Sequence, residues 1–235
     1  MILFSRTAVL DSAAQLSAQR LSTRLNFFSL GFGTAAWAPL IPFAQQRLNL
    51  NHADFGLLLL CMGVGSMIAM PATGALVQRI GCRAIIGFAA LLILLVLPGL
   101  AVWNTSVMMA VSLFLFGTAA GSFGVALNLQ AVIVEKNSLR AMMSSFHGMC
   151  SLGGLAGVMT VTALLAAGVS PLISALAVSI MLFVISIIAV PASLSEIERD
   201  EQIEADTAEH KKSHKKLPAP IILLIGLMCF ICLLY

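Results

Sequence analysis

The stretch Gly74-Ala75-Leu76-Val77-Gln78-Arg79-Ile80-Gly81-Cys82-Arg83 is a short cationic joint between two long apolar runs. Downstream, residues 84–134 contain no Asp, Glu, Lys, Arg or His. As a helix rising about 1.5 Å per residue, that run would far exceed a hydrocarbon core of about 30 Å. It must therefore fold back on itself. Trp103-Asn104-Thr105-Ser106 supplies the turn, and Trp103 suits the interface. Upstream, Phe55 to Val77 forms one further membrane-length run. Two arginines and a turn glycine between such runs mark a tight loop on the cytoplasmic side.

Composition agrees with this reading. The chain is 60% hydrophobic and only 10% charged, with a mean hydropathy of +1.01. An ordinary soluble domain carries about a quarter charged residues, so that class is excluded. Seven spans are expected: Leu25 to Phe43, Phe55 to Val77, Ala84 to Val102, Val107 to about Leu129, about Met143 to Ala167, Leu172 to Val190, and Leu217 to Tyr235. Long continuous runs rich in Leu, Ala and Gly make these helices rather than strands. The expected fold class is an all-α polytopic membrane protein. Its parts are a cytoplasmic tail (1–24), a six-helix lobe (25–192), a charged linker (193–216) and a seventh helix (217–235). The tail lacks the apolar core of a cleaved signal peptide.

Orientation follows from the basic residues. With the amino terminus inside, every Lys and Arg except Arg47 falls on the cytoplasmic side. The positive-inside rule is then met almost completely. The net charge of +3 implies no nucleic-acid partner, because the cations are spread over loops. Cys61, Cys82, Cys150, Cys229 and Cys232 lie mostly within apolar runs and read as packing sulfur. Asn104-Thr105-Ser106 matches a glycosylation sequon but is better explained as a turn. No metal-ligand cluster, nucleophile–base pairing or phosphate loop is visible. No enzyme activity, cofactor or metal is therefore expected.

Gly74, Arg79, Gly81 and Arg83 carry a family resemblance. They match the signature loop between helices two and three of the major facilitator superfamily. That loop reads Gly, three residues, Asp, Arg or Lys, any residue, Gly, Arg, then Arg or Lys. Gln78 replaces the Asp, and Cys82 replaces one basic residue. The linker is acidic first (Glu196 to Glu209) and basic last (His210 to Lys216), as where such a transporter passes between its halves. The resemblance implies a twelve-helix fold, each half being two inverted triplets, in which two lobes rock to give alternating access. The chain would then be the first half plus one helix. It would be a fragment, the product of an interrupted gene, or a half-transporter paired with a second lobe.

Asn128, Glu135, Phe146, His147, Ser151 and Gly153 further resemble the sugar-permease-like branch, which includes fucose permeases and the YbjJ-type bacterial inner-membrane proteins. In this family spans one, two, four and five line the cavity. Asn128 is therefore the leading substrate contact, with an interhelical hydrogen bond as the alternative. Gln130 is a second candidate, although two residues apart on a helix the pair cannot share a face. His147 is the only acidic or basic side chain between Ala141 and Ser195. It could carry a coupling proton, as in a symporter, but a structural or cavity-lining role is favoured. Trp37 is a candidate stacking ring for a sugar. The signature loop implies a conformational latch built from Gly74, Arg79, Gly81, Arg83 and Glu135, with an Arg79–Glu135 pair expected.

Two further patterns belong to packing and capping. Gly117 with Gly121, and Gly153 with Gly157, have the spacing that lets helices approach closely. Gly31, Gly33, Pro39 and Pro42 suggest a bent first span. Asn51 and Asp54 have capping-box-like spacing at the start of span two. The expected function is secondary transport of a small solute in a bacterial inner membrane, with a sugar-like solute favoured over a drug. The rival is a non-transporting remnant or interaction partner. The expected partners are the bilayer, the solute, a coupling proton, and a second lobe or a second copy.

Overall fold

The computed structural model describes residues 2–194, with side chains from Ala14 onward. The acidic and basic parts of the linker and the seventh span lie outside the described residues. The first helix, α1 (Ile2–Ala35), starts well before the expected edge at Leu25. The expected tail is thus helical and continuous with the first span. The reason is local: no glycine precedes Gly31 and no proline precedes Pro39, so nothing interrupts a helix.

The expected bend follows α1. A 3-10 turn at Ala38–Leu40 leads into α2 (Ile41–Leu48), with proline in the first turn of each. At that position proline's missing N–H is not needed. Asn49, at φ 52°, ends α2. Asn51 then caps α3 (His52–Leu100), its Oδ1 accepting the Asp54 N–H at 2.8 Å. Its Nδ2 donates to Asp54 Oδ2, also at 2.8 Å, so the capping reading of Asn51 and Asp54 holds.

A straight 49-residue helix would be more than twice as long as a bilayer core of about 30 Å. Instead α3 breaks at Gly81, where φ is 79° and ψ 165°. Only glycine holds that backbone conformation without strain. The signature loop's second glycine is therefore the point of reversal between a first arm (52–80) and a second arm (82–100). Three helices follow: α4 (Ser106–Ser138), α5 (Met143–Ala166) and α6 (Pro171–Ala189). Thr105 and Ser170 cap α4 and α6 through their hydroxyls. Among the described residues five helices are long and apolar enough to cross a membrane, and the break in α3 makes six crossing segments.

Glycines determine how these segments pair. A Cβ at Gly153 would collide with the Phe28 carbonyl, and one at Gly157 with that of Phe32. Residue numbers rise together, so α1 and α5 run parallel. In the same way Gly117 abuts Met62, and Gly121 abuts Ser66. The first arm of α3 and α4 are therefore also parallel. The second arm packs antiparallel to α6, with Ser179 Oγ donating to the Leu94 carbonyl at 3.0 Å and Gly87 facing Val190.

Counted by crossings, the first thus pairs with the fifth, the second with the fourth, and the third with the sixth. Exchanging the two triplets leaves that pairing unchanged, as two inverted triplets require. Large apolar side chains such as Leu57, Met67, Phe88, Val107, Met159 and Ile180 remain exposed, forming a surface suited to lipid.

Candidate functional site

Arg79, Arg83, Lys136 and Arg140 mark one end of the lobe, here called the basic end. Arg47 and Asp54 mark the other. The candidate residues lie on α3, α4 and α5 and in the turn after α1, some in the interior and some at the surface.

Asn128 is exposed on α4, and its Nδ2 donates to the Gly124 carbonyl of its own helix at 2.9 Å. It makes no interhelical bond among the described residues. Its amide faces outward from the lobe. His147 is exposed on α5 and stands edge-on to Phe27, with centroids 5.2 Å apart.

Gln130 does not face a cavity. It is 0% exposed; its Nε2 donates to Thr23 Oγ1 at 2.9 Å, and its Oε1 accepts the Leu194 N–H at 3.3 Å. This corrects its assignment as a solute contact. Two residues apart, Asn128 and Gln130 take opposite faces, and the buried one ties α4 to α1 and to the exit of α6. Gln130→Leu would strand the Leu194 N–H and remove the Thr23 bond, which should lower stability by about 2 kcal/mol. Asn128→Leu, at an exposed site, should change stability by under about 0.5 kcal/mol. Thermal unfolding in detergent micelles measures both, and equal effects would contradict the inside–outside division.

Trp37 is also buried, at 3% exposure, and its Nε1 has no hydrogen-bond partner among the described residues. A stacking ring needs an open face, so this corrects its assignment as a sugar platform. It sits in the turn between α1 and the 3-10 segment.

The latch residues are arranged differently from the expected charge pair. Glu135 Oε2 accepts the N–H groups of Met142 and Met143, at 2.6 and 2.5 Å. A carboxylate is well placed there, because it meets the positive end of α5. Arg79 is exposed and is not among the partners of Glu135 in the described residues. Arg83 instead fastens the turn: its backbone N–H donates to the Leu194 carbonyl at 2.8 Å, and its Nε to the Ser193 carbonyl at 2.9 Å. Gly81 is required by its backbone angles. Gly74 is not required by packing, since a Cβ there would meet nothing within 4 Å.

A buried polar seam at the basic end escaped the sequence reading. Ser22 Oγ donates to the Ala189 carbonyl at 2.7 Å, and Asn26 Nδ2 to Ser193 Oγ at 3.0 Å. Arg20 Nε donates to Ser138 Oγ at 2.7 Å. With Thr23–Gln130–Leu194 and Arg83, these bonds join α1, α3, α4 and the exit of α6. A signal was present. Ser22 and Asn26 are four apart, hence on one helix face.

A lobe of six crossing segments, paired through glycines as inverted triplets around a basic glycine turn, defines half of a secondary-transporter fold. The Major Facilitator Superfamily model matches residues 25–235, and the chain belongs to that family. It is 46% identical over 216 residues to an uncharacterised MFS-type transporter of Yersinia pestis, covering 92% of this chain and 54% of that protein. It is also 37% identical over 131 residues to an uncharacterised transporter, y4wD, of Sinorhizobium fredii, covering 56% of this chain and 35% of that one. The membrane protein MosC of Rhizobium meliloti is 35% identical over 134 residues, covering 57% of this chain and 33% of MosC. The chain thus spans about half the length of the first of these relatives, at 54%, and less of the others.

Proposed function

We propose that the protein is a secondary active transporter of a small polar solute, sugar-like rather than amphipathic, in a bacterial inner membrane with its amino terminus cytoplasmic. The lobe described here would rock against a second lobe, exposing the solute to each side in turn. The single observation that carries the polar-solute reading is the exposure of Asn128 and His147 on α4 and α5. Polar side chains within membrane helices usually turn inward or toward a watery cavity. These two face away from the packed interior of their own lobe. Family membership supports transport as such, and the near-complete confinement of Lys and Arg to one side supports the orientation.

His147 is the candidate carrier of a coupling proton. No other acidic or basic side chain lies between Ala141 and Ser195. The test is uptake of labelled sugars into membrane vesicles containing the full-length protein. Saturable uptake reduced by about tenfold in Asn128→Ala would support the reading, one lost hydrogen bond being worth about that factor. Uptake unchanged in that variant would remove Asn128 from the site. Uptake indifferent to an uncoupler would remove the proton. No uptake by the folded protein would favour the non-transporting alternative, and export of amphipathic dyes would favour drug efflux.

A further inference from the structure

Resting on the transporter reading, and deepening it, the geometry points to an anion subsite at the basic end of the α1–α5 seam. There Arg24 would bind the carboxylate of an acidic sugar.

The first observation is an unpartnered cation. Arg24 is half-buried, and its Nε is shut off from solvent without a hydrogen-bond partner among the described residues. Other arginines at the protein's two ends are satisfied or free in water. Arg20 bonds Ser138, Arg83 bonds the Ser193 carbonyl, and Arg47 bonds three carbonyls, while Arg79 and Arg140 are exposed. Desolvating a guanidinium nitrogen without a partner is costly, and such groups normally pair with an anion.

The second observation is where Arg24 points. On α1 the residues facing α5 are Phe28, Gly31 and Ala35, which meet Gly153, Cys150 and Gly154. Arg24 lies one turn before Phe28 on this same stripe. Because α1 and α5 run parallel, that turn lies level with the opening turns of α5, which carry His147. The Phe27–His147 ring contact fixes the level independently. Arg24 and His147 therefore stand on neighbouring helices near one height. His147 is an exposed second donor for the same anion.

The third observation concerns counter-ions. Within residues 14–194 the only acids are Asp54 and Glu135. Asp54 lies at the opposite end and is held by Asn51. Glu135 lies at the basic end, but its Oε2 is committed to the Met142 and Met143 amides. Arg20, Arg79, Arg83, Lys136 and Arg140 add positive charge at that end. An acid reaching that end meets these cations and, in Arg24, a guanidinium nitrogen without a partner among the described residues. Planar, bidentate pairing with carboxylate is what arginine does best.

The full-length protein in phosphatidylcholine nanodiscs tests this, with galacturonate and galactose as matched probes of thermal stability. Galacturonate should stabilise the wild type, and Arg24→Gln should weaken its apparent affinity by about 10- to 100-fold, the effect of losing one charge-assisted hydrogen bond. Arg24→Lys should recover part of the response, which a purely structural arginine would not do. Equal stabilisation by galactose in wild type and Arg24→Gln would overturn the proposal. So would no response to galacturonate. Stabilisation by phosphatidylglycerol nanodiscs alone, lost in Arg24→Gln, would assign the cation to a lipid headgroup and also overturn it. Vesicle uptake of both sugars, measured alongside, reports separately whether the transporter reading stands.

Discussion

Gly117→Val and Gly31→Val should each prevent stable folding of the lobe. A Cβ at Gly117 would collide with the Met62 carbonyl oxygen and lie 2.7 Å from its carbon and 2.8 Å from its Cα. At Gly31 it would collide with the Cys150 carbonyl oxygen and lie 2.9 Å from the Gly154 nitrogen. The obstacles are backbone atoms, so no rotamer change relieves them. The helix pair must separate instead. In lipid, separation is especially harmful, because close packing replaces the hydrophobic drive that holds soluble helices together. Overpacking a soluble core costs about 1–3 kcal/mol, and a rigid backbone clash belongs at or above the top of that range. Unfolding in mixed micelles would measure the loss. Gly124→Ala is the control: a Cβ there meets nothing within 4 Å, and alanine is the better helix former by about 0.5–1 kcal/mol. Wild-type stability in Gly117→Val would refute the pairing of α4 with the first arm of α3.

Arg47→Met should cost about 2–3 kcal/mol, in line with the loss of charge-assisted hydrogen bonds at a helix end. Arg47 Nε, Nη1 and Nη2 donate to the carbonyls of Trp103, Ala101 and Leu100, at 2.9, 2.7 and 2.8 Å. Those carbonyls terminate the second arm of α3, where the helix leaves its last acceptors unsatisfied. Methionine keeps much of the apolar stem while removing every donor. Thermal unfolding in detergent micelles is the measurement, with the exposed Arg140→Met as the control expected to stay within about 0.5 kcal/mol. Similar losses in both variants would mean that the capping contacts contribute nothing. The result also bears on orientation. Arg47 is the single departure from the charge rule, and its guanidinium is committed to capping α3 rather than free to bias insertion.

The branch-level resemblance and the cavity residues fare differently from the family. Membership rests on the match over residues 25–235 together with the helical, polytopic fold. Of the four cavity candidates, the fold leaves Asn128 and His147 at the surface and buries Gln130 and Trp37. Hydropathy alone could not separate them, because an amide in an apolar run looks the same whichever way the helix is rotated.

The sequence by itself determined the crossings, their turns and their charge bias. A bilayer imposes rules that act along the chain: apolar length sets a span, a cation run marks a side, and Gly81, Asn51 and Thr105 mark local backbone events. The edges of spans two, three, five and six fell close to the helices observed, whereas α4 continues to Ser138, well past the expected end near Leu129, and the turn at Trp103 to Thr105 lies between α3 and α4. Only the tertiary structure decided which polar side chains meet. Whether Gln130 faces a solute or Thr23 depends on helix rotation and on a neighbour more than a hundred residues away, and whether Glu135 faces Arg79 or the start of α5 depends on how the turn between α4 and α5 closes. The rotation of the helices is set in turn by glycine-to-backbone packing between crossings that are not consecutive, a three-dimensional constraint that periodicity along one helix does not express.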